Sequence, residues 1–376
     1  MHEFSWFFGL LLCVFSGLST RESRFEIHSQ TAIEYRELHD VPEIVKTQDA
    51  VLNDTLTIMA VGDMMLGSNY PFAADLPPND GLLLLEHSTE LLSRAHVTFG
   101  NCEGTFLDNG GQMKQRKDSV RSYLFRQPEY YALHLANAGF DVMSLANNHS
   151  GDFGREGRTN TMATLESVGV RFAGLLDCPT VLWEKDGVRY GLAAFAPNAG
   201  CADLRHTEKA AATVAELATK CDVCMVSFHA GAEGPGASRV TDSTEYYLGE
   251  NRGNVRSFAH AMIDAGADML FGHGPHVLRG MEIYQDRLIA YSLGNFCTYS
   301  QFSLRGSAGL APLLEVHTDR TGRFLSGQIH SFKQEGRGGP VSDETQAAAR
   351  AIAALTENDF PHTGPVISPL GRIGNR

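Results

Sequence analysis

From Leu56 onward the chain repeats two apolar patterns. Short runs rich in β-branched and aromatic residues occur at 56–61, 96–99, 140–145, 170–173, 223–228 and 268–271. They have the length and composition of strands in a core. Between them, segments at 82–93, 129–138, 161–168, 207–219 and 255–265 carry helical spacing. Three of these helices stop at a glycine (Gly139, Gly169, Gly266) just before the next strand, the usual C-terminal signal. Runs 180–184 and 188–195 are joined by Lys185-Asp186-Gly187, and runs 280–284 and 288–292 have Asp286 between them, which predicts two hairpins. Strands at 312–317 and 324–330 follow, then a tail with a short Ala-rich helix and a Pro/Gly-rich end. Helix–glycine–strand units mixed with hairpins predict an α/β class of mixed sheets packed together and flanked by helices, not a purely parallel sheet.

The ends of the chain read differently. Residues 4–18 form an uncharged apolar run, short of the roughly 20 residues a membrane span needs. The expectation is a signal peptide over 1–19, although its first residues lack Lys or Arg, with an uncleaved signal anchor as the alternative. Either makes the protein secreted or membrane-anchored, outside the cytoplasm. Residues 20–54 form an irregular polar lead-in, 55–335 one domain, and 336–376 a C-terminal helix with an exposed tail. Of 376 residues 43% are hydrophobic, enough for a large core, and the formal net charge of −13 argues against nucleic acid as the main partner. Cys221 and Cys224 form a C-x-x-C at the start of a strand, where positions three apart face opposite ways; they read as core thiols.

The chemistry lies where the strands stop. The runs end at Gly62-Asp63, at Gly100-Asn101-Cys102-Glu103, at Asn147-Asn148-His149, at His229, and at Gly272-His273-Gly274-Pro275-His276. Open α/β sheets bind ligands at that edge. One aspartate or histidine there is ordinary turn chemistry. Five such ends together predict a metal site made of Asp63, Glu103, Asn148, His229, His273 and His276. The set has no thiolate and suits one or two divalent ions of the Mn, Fe, Co or Zn class. Glu103 is the candidate bridging carboxylate of a metal pair, which can clamp a phosphoryl or carbonyl oxygen and activate a water. His149 beside it can act as general acid. Asp152, three residues on, either orients that imidazole or caps the next helix. Arg126 is either a surface arginine or a fork for a carboxylate or phosphate. Glu233 is a substrate contact or a partner of His229. Asn147 shapes the turn and is grouped with these two as a substrate-side residue.

Several ordered motifs resemble one family: Val61-Gly62-Asp63-Met64-Met65-Leu66-Gly67, Gly100-Asn101-Cys102-Glu103, Phe125-Arg126-Gln127-Pro128, Leu145-Ala146-Asn147-Asn148-His149, Ser227-Phe228-His229 with Glu233, Gly272-His273-Gly274-Pro275-His276, and Ser292-Leu293-Gly294-Asn295-Phe296. Over residues 56–296 the chain resembles the capsule-synthesis CapA (poly-γ-glutamate biosynthesis) family of the calcineurin-like metallophosphatase superfamily. The resemblance implies a four-layer αββα sandwich with metals at the strand ends. It implies Asn148 as ligand and His149 as catalytic imidazole, with Asp63, Glu103, His229, His273 and His276 completing the ligand set. It further implies an anionic polymer or ester as substrate and capsule-synthesis membrane proteins as partners. One departure stands out: Met65 occupies the position, two after Asp63, where the phosphatases carry a histidine. Ser227–Gly231 also lacks the tryptophan that the family often carries after the histidine matching His229. Two expectations follow: a metal-dependent hydrolase of a phosphoester or γ-glutamyl amide, or a non-catalytic polymer-binding, export or assembly factor. The Asn148-His149 pair favours the first and Met65 the second.

Overall fold

A computed structural model describes residues 55–115 and 123–376; the expected signal segment and lead-in lie outside the described residues. The core starts with strand Thr55–Met65, buried along almost its whole length, as its unbroken apolar run requires. It pairs in parallel with Val97–Cys102 and antiparallel with Leu310–Asp319, and its far end runs parallel to Asn295–Thr298. Val142–Ser144 and Arg171–Ala173 extend this first sheet on one side. Phe324–Gln334 and the shorter strands Pro340–Ser342, Val366–Ile367 and Arg372–Gly374 extend it on the other, to ten strands.

The second sheet has six strands in the order Met281–Tyr284, Arg287–Ala290, Met269–His273, Val223–His229, Val188–Phe195, Thr180–Lys185. Its four inner strands are parallel, and the expected hairpins form both edges. Asp186 (φ 53°) and Gly187 (φ 73°) are both left-handed, the turn geometry that an Asp-Gly hairpin favours.

Period-two alternation separates the layers. Val223, Met225, Met269 and Phe271 join the core between the sheets, whereas Cys224, Val226, Phe228 and Leu270 pack with helices Thr207–Ala218 and Val255–Asp264. Phe99 of the first sheet stacks on Phe271 of the second at 5.3 Å, so the sheets meet face to face. Helix Glu86–Leu92 lies on the far side of the first sheet, where Thr98 Oγ1 donates to the Leu92 carbonyl at 2.6 Å. Helix, sheet, sheet and helix make the four-layer mixed sandwich expected from the sequence.

Three expectations are corrected. The helix expected at 161–168 runs over Gly154–Ser167 and begins directly behind the Asn-Asn-His motif. Its first half is polar and contains Gly157, which disguises it; a Cβ there would approach Thr105 at 3.1 Å, so the glycine permits close packing. The helix expected at 82–93 is only Glu86–Leu92. The C-terminal end is not an exposed tail: helix Ala347–Asp359 contributes Ala348, Ala349 and Ile352 to the core, and buried Ile373 pairs with Gly327. Cys221 lies before its strand and donates to the Leu217 carbonyl at 3.3 Å, and Cys224 is buried on the helix side. Among the described residues no helix is long and apolar enough to cross a membrane.

Candidate metal centre

Sheet geometry brings the strand ends together. Odd-numbered residues of Val223–His229 and Met269–His273 face the first sheet, so the series that begins with Val223 and Met269 ends with His229 and His273. The two histidines are paired in register. Across from them, Asp63 is in register with both Asn101 and Asn295. Two glycines allow the close approach. A Cβ on Gly62 would sit 2.1 Å from the Gly294 carbonyl oxygen, the same atom that accepts from Asp63 N at 2.9 Å. Gly274 (φ 111°) lies against the Ala230 backbone, where a Cβ would fall at 2.7 Å. This lets the turn after His273 fold back and present His276. His276 itself has φ 55°, a left-handed conformation costing about 1–3 kcal/mol in a non-glycine residue and common at ligand sites.

Asp63 is fully buried. Its Oδ1 lies 3.1 Å from His273 Nδ1 and accepts from Asn101 Nδ2 at 2.9 Å, while its Oδ2 lies 2.9 Å from His276 Nδ1. Glu103, also fully buried, faces three imidazoles: its Oε1 is 3.6 Å from His276 Nε2 and 3.9 Å from both His229 Nε2 and His149 Nε2. Donor atoms of Asp63, Glu103 and His229 all lie within 4.8 Å of one another. Asn148, on the turn after Val142–Ser144, also has a buried amide oxygen.

Whether a divalent ion fits is decided by the donor atoms. Both carboxylate oxygens of Glu103, Nε2 of His229, Nε2 of His273 and Oδ1 of Asn148 are buried with no hydrogen-bond partner among the described residues. Buried polar atoms left unpaired cost about 1–3 kcal/mol each, more when charged. Glu103, His229 and His273 bring theirs together from separate strands, the arrangement a cation would compensate, and Asn148 stands next to His149 at the rim. Carboxylate, amide and imidazole donors suit the metal class expected from the sequence.

The charges follow the same geometry. Burial pushes the Glu103 carboxyl well above its ordinary range, with His276 opposing and Asp63 reinforcing the shift. Burial would also raise Asp63, but hydrogen bonds from His273 and His276 outweigh it and hold the carboxyl far below the usual range. Burial drives His229 well below its ordinary value, leaving a neutral imidazole able to ligate. Burial lowers His276 too, but Glu103 and Asp63 overcome this and push it up to about 9.

His149 stands at the rim. Its Nδ1 is 2.7 Å from Asp152 Oδ2, its backbone N–H donates to Asn147 Oδ1 at 3.0 Å, and its ring lies 4.1 Å from that of Phe125. Asp152 is buried and accepts from Phe125 N at 2.9 Å. Of the two roles open to it, orienting His149 is the one its carboxylate performs. Asn147 is buried and donates to the Cys102 carbonyl at 2.8 Å and to Asn101 Oδ1 at 3.2 Å. It braces the turn and presents nothing to a substrate. Arg126 donates to Asn69 Oδ1 at 2.7 Å and lies over the rings of Phe153 and Tyr70 at 5.1 and 5.5 Å, which holds a loop beside the site. Glu233 accepts a charge-assisted hydrogen bond from Arg252 and makes no hydrogen bond or ion pair with His229 among the described residues.

Sequence reasoning overlooked three neighbours. Asn101 and Asn295 lie inside recognised motifs yet read as spacers; they brace Asp63 and His276, with Asn295 Oδ1 3.1 Å from His276 Nδ1. Arg252 is buried behind the site, and its charge opposes the protonation of Glu103. No local signal in the sequence marks it.

Residues 57–300 match the family model described as bacterial capsule synthesis protein PGA_cap. The chain belongs to this family. Among its relatives is the capsule biosynthesis protein CapA of Bacillus anthracis, 27% identical over 300 residues that cover 77% of this chain and 70% of the relative. Another is the PGA biosynthesis protein CapA of Bacillus subtilis strain 168, 25% identical over 330 residues that cover 81% and 79%. Among solved structures, a Mycoplasma pneumoniae protein described as a novel phosphatase aligns with a TM-score of 0.46 and 13% identity, over 74% of this chain and 93% of that one. In this family member Asp63, Glu103, His229, His273 and His276 lie together at the strand ends, with the His149–Asp152 pair beside Glu103.

Proposed function

We propose that this protein is a metal-dependent hydrolase that acts outside the cytoplasm on an acidic polymer, or an ester of one, in capsule or polyglutamate synthesis. The unpartnered buried donors of Glu103, Asn148, His229 and His273, from four strand ends, beside Asp63 at a fifth, carry the reading. Asp63, Glu103, Asn148, His229, His273 and His276 would hold the metal. Bound there, a divalent ion supplies Lewis acidity and an activated water. The chain's own contribution centres on His149. Asp152 takes the Nδ1 hydrogen bond and fixes the ring so that Nε2 faces Glu103. From that position Nε2 donates a proton to the leaving oxygen or nitrogen. The relatives' names support the capsule and polyglutamate setting, and the apolar run at 4–18 supports export.

A second reading has its own observation. Met65 is fully buried and supplies no nitrogen to the site, which favours a factor that holds polymer or partners without cleaving. Metal analysis followed by turnover assays on phosphoesters and γ-glutamyl polymer separates the two. His229→Ala should lose metal, and His149→Ala should keep metal and lose hydrolysis. Unchanged metal in the first variant and unchanged hydrolysis in the second would remove the hydrolase reading.

A further inference from the structure

A ladder of rings leads away from the metal centre. The Phe125 ring contacts His149 at 4.1 Å, Phe302 at 4.9 Å and Tyr123 at 6.4 Å, and Phe302 meets His276 edge-on at 5.3 Å. Tyr123 and Phe302 also line a cleft of about 960 Å³, with Phe72, Asp75, Arg305 and Glu335 among its other walls. The cleft is therefore separated from His276 by one aromatic ring, Phe302, and from His149 by Phe125 and the ring stacked on it. Its volume is at the upper end of ordinary ligand pockets, so it can take more than the atoms at a reacting bond.

The lining has a definite chemical character. Phe72 and Tyr123 are 69% and 54% exposed, so their ring surfaces are open to whatever occupies the cleft. The two acids are already neutralised: Asp75 pairs with Arg337 at 2.9 Å and accepts from Ser300 at 2.7 Å, and Glu335 pairs with Lys333 at 2.6 Å. Arg305, in the same wall, has no carboxylate partner among the described residues. The cleft thus offers flat apolar faces and one guanidinium that no carboxylate neutralises among the described residues.

We infer that this cleft is a subsite for the flanking units of an acidic polyamide chain. The methylene and amide parts of the chain lie on Phe72, Tyr123 and Phe302, and a side carboxylate pairs with Arg305. The inference rests on the polymer reading above and adds where the rest of the polymer binds.

The test is equilibrium binding of a γ-glutamate oligomer to metal-loaded full-length protein, with a neutral glucan oligomer as comparison. Arg305→Gln should weaken acidic-oligomer binding about fivefold, and the difference should shrink as salt rises. Arg305→Glu should weaken it further, and Phe72→Ala about fivefold at any salt. Both side chains are exposed, so metal content and melting temperature check that each variant is intact. Wild-type affinity in the variants, equal affinity for the neutral oligomer, or no binding to the wild type overturns the subsite. Metal binding and cleavage of a small ester alongside any of those results would leave the hydrolase reading standing. Arg305-dependent binding without any cleavage would remove the hydrolase reading and leave the subsite.

Discussion

Two buried glutamates face histidines in this protein and end in opposite states. Glu282 is 1% exposed, and both its oxygens are satisfied. Oε1 accepts from Thr363 at 2.8 Å and Arg256 at 3.3 Å, and Oε2 contacts Tyr291 Oη at 2.8 Å and His260 Nε2 at 2.9 Å. Burial would raise its pKa, but His260, Tyr291 and Thr363 together lower it. Glu103 is as little exposed, has no hydrogen-bond partner on either oxygen among the described residues, and is raised. Residue type and solvent exposure are alike; Glu103 lies deeper, and the donor supply differs. Glu282 ties a helix, a strand and the C-terminal segment together. Glu103 is left with acceptor capacity that the fold does not use, an arrangement that a cation would compensate.

The largest effect should come from His149. His149→Ala is expected to lower hydrolysis about 10²–10⁴-fold, with metal content unchanged by elemental analysis. Asp152→Asn should lower it about 10–100-fold and alter the pH–rate profile, because it disturbs only the ring's orientation. Equal losses of metal in both variants would move them from proton transfer to ligation.

Next in size is metal-linked stability. A divalent ion at about 100 times its Kd should add about 2.7 kcal/mol to the folded state, seen as a rise in melting temperature. That rise should vanish in Glu103→Gln and His229→Ala and persist in Glu282→Gln.

The two glutamates should then differ in metal-free protein. Glu282→Gln is expected to lose about 1.5–3 kcal/mol, the scale of a hydrogen bond to a charged group. Glu103→Gln should lose nothing or gain, because burial disfavours the carboxylate and neither of its oxygens has a hydrogen bond to lose among the described residues. Denaturant melts read both, and a clear loss in metal-free Glu103→Gln would erase the contrast.

The smallest effect is in acid. With its folded pKa lowered, Glu282 stabilises fully above the unfolded glutamate value of about 4.3. That contribution is lost as pH falls through its folded pKa. Glu103 in metal-free protein has the opposite sign. Its cost is absent below about 4.3 and grows as pH rises toward its higher folded value. Melting temperatures of the two glutamine variants against wild type across this range should slope in opposite directions.

The sequence by itself determined the elements and the candidate ligands. Apolar period, glycine stops and the Asp-Gly turn set strands such as Val223–His229 and the hairpin at Asp186-Gly187, because those signals are local. Asp63, Glu103, Asn148, His229, His273 and His276 could be picked out as donor residues at strand ends. Helix Gly154–Ser167 was only half legible because its close packing on Thr105 selects glycine over a helix former. The C-terminal strand was not legible, because its few residues gain order only from pairing with Phe324–Gln334.

Tertiary structure alone decided which polar groups are left without a partner. Asn147, Arg126 and Glu233 look like substrate residues in one dimension, yet their side chains bond to Cys102, Asn69 and Arg252. The separation of Glu103 from Glu282 is likewise invisible in the sequence. Thr363 reaches Glu282 from 81 residues away, and no comparable donor reaches Glu103 among the described residues. Sequence names the groups that can bond or ligate; only the folded arrangement determines which of them are already satisfied.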